Sequence, residues 1–282
     1  MADITVNSRL LGIKDVHVHV EDTGGLGRPV ILIHGWPLSG ASWKAQVPAL
    51  QKAGYRVITY DRRGFGHSDK PKTGYDYDTL AEDLHNLIEE LVITDISLVG
   101  FSMGGGELAR YISAYGEDGL RSIVFAAAVP PMLMKSADNP DGPLEQDQAT
   151  QMADALTKDD TAFYEQFLTQ FFSAHGDGSL LITAEQFEEA LALTRQADRS
   201  AALECMHSFS STDFRSDLTK ITVPTLILHG DSDGIVPLEG SGLRTHKAIR
   251  HSELRVITGA PHGFNVSHEK EFNDELLRFL AL

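Results

Sequence analysis

Cysteine is all but absent. Among 282 residues there is one, Cys205, so no intrachain disulfide can form, and no Cys/His cluster suggests zinc or another metal. Basic residues are also scarce. Twenty-four Lys and Arg stand against 40 Asp and Glu, a formal net charge of −16. Such a field repels phosphate backbones and anionic lipid, which argues against nucleic-acid and membrane-surface partners. Long apolar runs are missing. The longest stretch, Ile123 to Met134, holds two prolines and is too short to span a bilayer. Met1 to Lys14 has no apolar core of the kind a secretory signal carries. Internal repeats and low-complexity tracts are lacking too. These absences lead to the expectation of a soluble, cytoplasmic protein.

What is present is ordinary globular composition, 42% hydrophobic and 23% charged, which argues against long disorder. At ~150 residues per domain the length allows two domains or one large α/β domain. A chain of this size buries about three quarters of its unfolded surface and needs no staples.

Two periodicities alternate along the first half. Val16 to Val20 alternates apolar residues with His17 and His19, which predicts an antiparallel edge strand. Val30 to Ile33, Val57 to Tyr60, Ile96 to Val99 and Ile123 to Phe125 are short apolar runs, the pattern of strands buried on both faces of a parallel sheet. Leu80, Leu84, Leu87, Ile88 and Leu91 recur on one helical face, with Thr79 and Glu82 spaced as a capping box. Leu108, Tyr111 and Ile112 mark a second helix. Val223 to Leu228 and Leu254 to Ile257 read as later strands. Phe272, Leu276, Phe279 and Leu280 read as a closing helix. Alternation of this kind implies an α/β fold with helices on both faces of the sheet. From about Val129 to Leu218 the alternation breaks. After Pro130-Pro131 and a turn-rich segment at 139–143, the chain reads as helices, with Phe163, Phe167 and Phe171 on one face and Phe187, Leu191 and Leu193 on another. The expected organisation is therefore a core of residues 1–128 and 219–282 with an inserted helical unit at 129–218.

The sharpest chemical signal is Gly100-Phe101-Ser102-Met103-Gly104. It follows a predicted strand and precedes a predicted helix, the context of a nucleophile elbow. The glycines let strand and helix approach closely, and the turn exposes the Ser102 hydroxyl. It also leaves the Met103 N–H free to bind an oxyanion. A serine needs a base, and the base needs an orienting carboxylate. Of twelve histidines, His262 follows both serine and acid and lies just after the last predicted strand, where the base is required, while His207, His246 and His251 read as helical or loop surface residues. His34 and His229 end strands and read as structural. For the acid, Asp233 is preferred to Asp231, which lies nearer the strand end and reads as a turn cap. The second oxyanion donor is expected from His34-Gly35-Trp36-Pro37, as the Trp36 N–H, with Pro37 stiffening the loop. Residues 61–68 read as scaffold. Gly104-Gly105-Gly106 reads as close helix packing rather than a dinucleotide fingerprint.

Taken together, His34-Gly35-Trp36-Pro37, the Asp61 to Ser68 loop, Gly100 to Gly105, His229 to Pro237 and Pro261-His262-Gly263 resemble α/β-hydrolases. More narrowly they resemble the cofactor-free haloperoxidase (perhydrolase) and aryl esterase branch. The resemblance implies an α/β-hydrolase fold: a mostly parallel eight-stranded sheet, a four-helix cap at about 129–218, and a pocket between them. It implies Ser102 as nucleophile, Asp233 as acid, His262 as base, and the Trp36 and Met103 N–H groups as the oxyanion hole. Pro37 falls where haloperoxidase-like members carry proline, and Ile235 matches a pocket position of the branch. Phe125, Phe163, Phe167 and Phe171 are further candidates for the pocket wall. No haem, metal or other cofactor is implied. Small-molecule esters or carboxylic acids, with hydrogen peroxide as co-substrate, are the implied partners, and relatives often assemble as homo-oligomers. Lactones or cyclic amides would use the same triad. A slowly turning-over ligand receptor on this fold is the alternative from another class. Ser102 at the elbow argues against the aspartate-nucleophile dehalogenases and epoxide hydrolases.

Overall fold

The computed structural model describes residues 7–174 and 178–282, so the first six residues of the segment read above for a signal lie outside it. Eight strands form one sheet: β1 (Asn7–Ile13), β2 (Val16–Asp22), β3 (Pro29–Ile33), β4 (Arg56–Tyr60), β5 (Ile96–Phe101), β6 (Leu120–Ala126), β7 (Thr225–Gly230) and β8 (Glu253–Ile257). Their spatial order is β1-β2-β4-β3-β5-β6-β7-β8. Pairings of β2 with β1 and β4 are antiparallel and all others are parallel. Every residue of β5 and β7 is buried, which is why their sequences are continuous apolar runs rather than alternating ones.

The helices are α1 (Gln46–Lys52), α2 (Tyr77–Leu91), α3 (Met103–Tyr115), α4 (Gln146–Lys158), α5 (Asp160–Phe171), α6 (Ala184–Thr194), α7 (Arg199–Ser211), α8 (Arg215–Leu218), α9 (Gly242–Ala248), α10 (Phe264–Ser267) and α11 (Glu269–Leu280). Four of them, α4 to α7, are 11 to 13 residues long and lie between β6 and β7. From β3 the chain steps outward to β4, then returns to the other side of β3 as β5. That reversal opens a crevice at the carboxyl ends of β3 and β5, where open α/β sheets bind ligands.

Two sequence expectations need correction. The strand at 16–20 is not at the edge: β2 is flanked by β4 and by β1, whose pairing runs from Asn7↔Asp22 to Ile13↔Val16. The alternation of β2 reflects one buried face and one more exposed face, and β1 pairs along its outer side. The capping box at Thr79 and Glu82 is also absent. Helix α2 begins three residues earlier than that box requires, at Tyr77, and the Asp76 carboxylate accepts the Thr79 N–H. Glu82 pairs instead with Lys14 at 2.7 Å. Asp76 offers the stronger acceptor at the positive helix end.

The 61–68 loop is tied down by its own charges. Asp61 accepts backbone N–H groups from Gly40 and His67 at 2.8 Å each. Arg63 forms a bidentate pair with Asp83 at 2.5 and 2.6 Å. Arg62, fully buried, reaches Glu107 of α3 at 2.7 Å. Cys205 of α7 lies close to this charged layer and is wholly buried, and burial pushes its thiol up to about 12. A thiol held protonated and inaccessible is inert. Native protein at pH 8 should leave an aromatic disulfide reagent unreacted, and one thiol per chain should react after unfolding in denaturant.

Candidate active site

Ser102 joins β5 to α3 with φ 53° and ψ −117°, a strained conformation for a residue with a side chain. Three backbone bonds hold it. Its N–H donates to Ala126 at 2.9 Å, and its carbonyl accepts from Gly105 at 3.0 Å and Val129 at 3.2 Å. The flanking glycines make the turn possible. A Cβ on Gly100 would come within 2.6 Å of the Gly104 carbonyl oxygen, and one on Gly104 within 2.6 Å of that of Ile33.

The loop after β8 carries His262. Its Nε2 lies 2.9 Å from Ser102 Oγ, and its Nδ1 lies 2.7 Å from Asp233 Oδ2. Phe171 meets the imidazole edge-on with centroids 4.8 Å apart, and Phe101 packs 5.2 Å away. These rings and the Gly263 N–H bond to the Phe171 carbonyl at 2.8 Å fix the imidazole's plane. Asp233, from the loop after β7, accepts Ile235 and Val236 N–H groups on Oδ1 at 2.9 and 2.8 Å. Burial disfavours its charge. The His262 charge when protonated, together with hydrogen bonds from His229 and His262, outweighs that, so its pKa falls well below the ordinary carboxylate range. An ionised Asp233 can only accept, so His262 carries its proton on Nδ1 and presents an Nε2 lone pair to Ser102. His229 lies 3.4 Å from Asp233 but donates more closely to the Val236 carbonyl, at 2.9 Å. It therefore braces the acid loop, as its structural reading anticipated.

The Gly35–Trp36 peptide runs beside the serine: a Cβ on Gly35 would fall 3.0 Å from Ser102 Cβ. Neither the Trp36 N–H nor the Met103 N–H donates to an acceptor among the described residues. Both are thus available to negative charge, Met103 with the added field of a helix N-terminus. The Trp36 indole is anchored by a 3.0 Å bond to the Ala202 carbonyl of α7 and packs against Phe163, Phe167 and Phe209.

The sequence from 28 to 269 matches the family described as alpha/beta hydrolase fold. The chain belongs to that family. It is 40% identical over 261 residues to the non-heme chloroperoxidase CPO-A1 of Kitasatospora aureofaciens, covering 91% of this chain and 93% of that one. It is 34% identical to the bifunctional esterase/perhydrolase DCH of Acinetobacter calcoaceticus, covering 94% and 96%. The crystal structure of a bromoperoxidase from Bacillus anthracis superposes with a TM-score of 0.93 at 49% identity, covering 99% of this chain and 100% of that one.

In this α/β-hydrolase a cavity of about 410 Å³ opens above Ser102. Trp36, Val129, Leu133, Met152, Phe163, Phe167, Phe209 and Ile235 line it, with the amides of Gln148, Gln151, Gln166 and Gln170. Of the expected wall residues, Phe163, Phe167 and Ile235 reach it. Phe125 does not: it is buried in the sheet, against Gly105. Pro37 and Phe171 lie outside the lining, the latter behind His262. The glutamines were not anticipated, although Gln166 and Gln170 share the helical face of Phe163 and Phe167. Asp231 is exposed and accepts the Gly259 N–H at 2.6 Å, a loop tie remote from the imidazole. A larger shallow groove of about 870 Å³ between α1 and α11 contains none of the residues around Ser102. Among the described residues no group of His, Cys, Asp or Glu is arranged to hold a metal ion, and no helix is long and apolar enough to cross a membrane.

This geometry separates the two aspartates. Asp233→Asn should lower the esterase kcat by about 10⁴-fold, because an amide permits the wrong imidazole tautomer, while Asp231→Asn should cost less than about tenfold. Steady-state kinetics on both variants checks the ranking.

Proposed function

We propose that this α/β-hydrolase is a serine esterase and perhydrolase acting on short-chain or aryl carboxylic esters through an acyl-Ser102 intermediate. The observation that carries the reading is the hydrogen-bonded line from Ser102 Oγ through His262 to Asp233, at 2.9 and 2.7 Å, with the Trp36 and Met103 N–H groups, unpaired among the described residues, at its serine end. Kinship to enzymes named chloroperoxidase and esterase/perhydrolase supports the same class.

The steps follow from those contacts. Ser102 Oγ attacks the ester carbonyl while its proton passes to His262 Nε2. The carbonyl oxygen becomes negative and is stabilised by the Trp36 and Met103 N–H groups. Asp233 stabilises the imidazolium without taking its proton. Collapse breaks the bond to the leaving alkoxide, which recovers the proton from His262. Water, or hydrogen peroxide, then gives its proton to His262 and attacks the acyl carbon; the bond to Ser102 Oγ breaks, Oγ recovers the proton from His262, and the carboxylic acid or the peracid leaves. The peracid can transfer oxygen to a halide away from the protein, so halide oxidation on this route needs no redox centre.

The cavity narrows the substrate class. At about 410 Å³ it suits a small ligand. Its lining is largely apolar, and the four glutamines in it are exposed residues. No Asp, Glu, Lys, Arg or His side chain lines it among the described residues. An anionic ester would lose water there without gaining a cationic partner. Neutral esters with short acyl groups are therefore favoured.

Purified protein should hydrolyse p-nitrophenyl acetate and form peracetic acid from it when hydrogen peroxide is added. Ser102→Ala should lose both activities by about 10⁴-fold or more. Acetates of neutral alcohols should outrun esters that carry a carboxylate. Activity that survives Ser102→Ala would overturn the nucleophile assignment, and turnover of the intact protein far below ordinary enzyme rates would favour a receptor-like role.

A further inference from the structure

One buried histidine sits directly behind the proposed oxyanion hole without touching the space a substrate would occupy. His34 follows β3 and is fully buried. Its Nε2 lies 2.9 Å from the Arg62 backbone nitrogen, and its Nδ1 lies 2.9 Å from the Gly35 carbonyl oxygen. A backbone N–H can only donate, so Nε2 must be the bare nitrogen. The ring proton is then on Nδ1 and is donated to Gly35. The opposite tautomer would satisfy the longer 3.5 Å approach of Arg62 Nη1 to Nδ1. It would also set two donors against each other at 2.9 Å, so the shorter contacts decide.

The consequence lies across one peptide bond. The Gly35 carbonyl and the Trp36 N–H belong to the same planar trans unit and point in opposite directions. Holding the carbonyl therefore aims the N–H. Two donors hold it: His34 Nδ1–H, and the Leu38 N–H at 3.1 Å. A carbonyl that accepts hydrogen bonds also polarises its partner N–H into a better donor. We infer that His34 is a positioning residue, which orients and polarises the Trp36 N–H as an oxyanion donor by locking the Gly35 carbonyl from behind.

The surroundings suit this task. Arg62 Nη2 donates to the His34 carbonyl at 2.9 Å, and Arg62 Nε donates to Glu107 at 2.7 Å. Glu107 also takes the Tyr60 hydroxyl. All four side chains are buried. Glu107 lies one turn into α3, the helix whose first N–H is that of Met103. A single buried network thus runs behind both donors, Trp36 through His34 and Met103 through α3. Burial and the Arg62 charge push the His34 pKa well below its ordinary value, so the ring stays neutral and keeps one donor and one acceptor.

The inference rests on reading Ser102 as nucleophile and Trp36 as oxyanion donor, and its test separates the two. Asn at position 34 sets an amide N–H where Nδ1 sits. Gln can offer its amide oxygen to Arg62 but sets no donor against Gly35. His34→Asn should keep kcat on p-nitrophenyl acetate within about threefold. His34→Gln should lose about 10- to 100-fold in kcat with KM nearly unchanged, since a donor is misaimed rather than removed. Affinity for phenylboronic acid, which becomes tetrahedral on a nucleophilic serine, should fall in parallel. Nitrogen-15 NMR of the unaltered protein should find His34 neutral with its proton on Nδ1. A folded His34→Gln variant with full kcat, equal losses in both variants, or a proton on Nε2 would overturn the inference. The NMR result stands even if neither variant folds. Wild-type turnover that survives Ser102→Ala would instead overturn the proposed function.

Discussion

The contact between β5 and α3 is the constraint on which the rest of the site depends. The strand must pass into the helix with almost no loop, so the joining residue takes a positive φ and its side chain is pushed out of the sheet. Gly100 and Gly104 are small because backbone lies where their side chains would be. The strain at Ser102 is offset by bonds to β6 and to the start of the insertion. Once the turn is made, the hydroxyl stands at the crevice where strand order reverses, and the first N–H of α3 lies beside it. The other loops have only to reach this point.

They reach it from three further strand ends, each braced by charge or packing. Behind β3 and β4, Arg62, Glu107, Tyr60 and His34 form a buried polar layer whose atoms are largely satisfied by one another. Replacing such a layer with apolar residues often costs no stability. Its worth here lies in fixing orientation beneath the Gly35–Trp36 peptide. At β7 and β8, Asp233 is held ionised by backbone N–H groups and two histidines, and His262 is clamped by Phe171 from α5. The helices between β6 and β7 therefore do more than roof the cavity. They supply the Trp36 anchor at Ala202 and one wall of the imidazole slot.

Much of this was legible in the sequence because it is local. Buried strands read as apolar runs, the elbow reads from its glycines and flanking periodicities, and the loops after the last two strands point to Asp233 and His262. What was illegible depends on contacts distant in sequence. Strand β1 carries an exposed Leu10 beside a buried Leu11, and only its pairing with β2 moves that strand off the edge. The start of α2 was misread because Thr79 and Glu82 fit a capping pattern that Asp76 pre-empts. Phe125 ends a strand near the site, yet the sheet's pleat turns it toward Gly105. Phe171 continues the stripe of Phe163 and Phe167, but α5 carries it past the cavity to the back of His262. The tautomer of His34 needed both of its partners in view.

The central claim is that Ser102 is a nucleophile activated by His262. Its most direct test is covalent. Protein treated with diethyl p-nitrophenyl phosphate should gain one diethylphosphoryl group per chain, found by peptide mass spectrometry on Ser102, and His262→Ala should suppress the labelling. An adduct on another residue, or an intact chain that stays unlabelled while ester hydrolysis proceeds, would contradict the account.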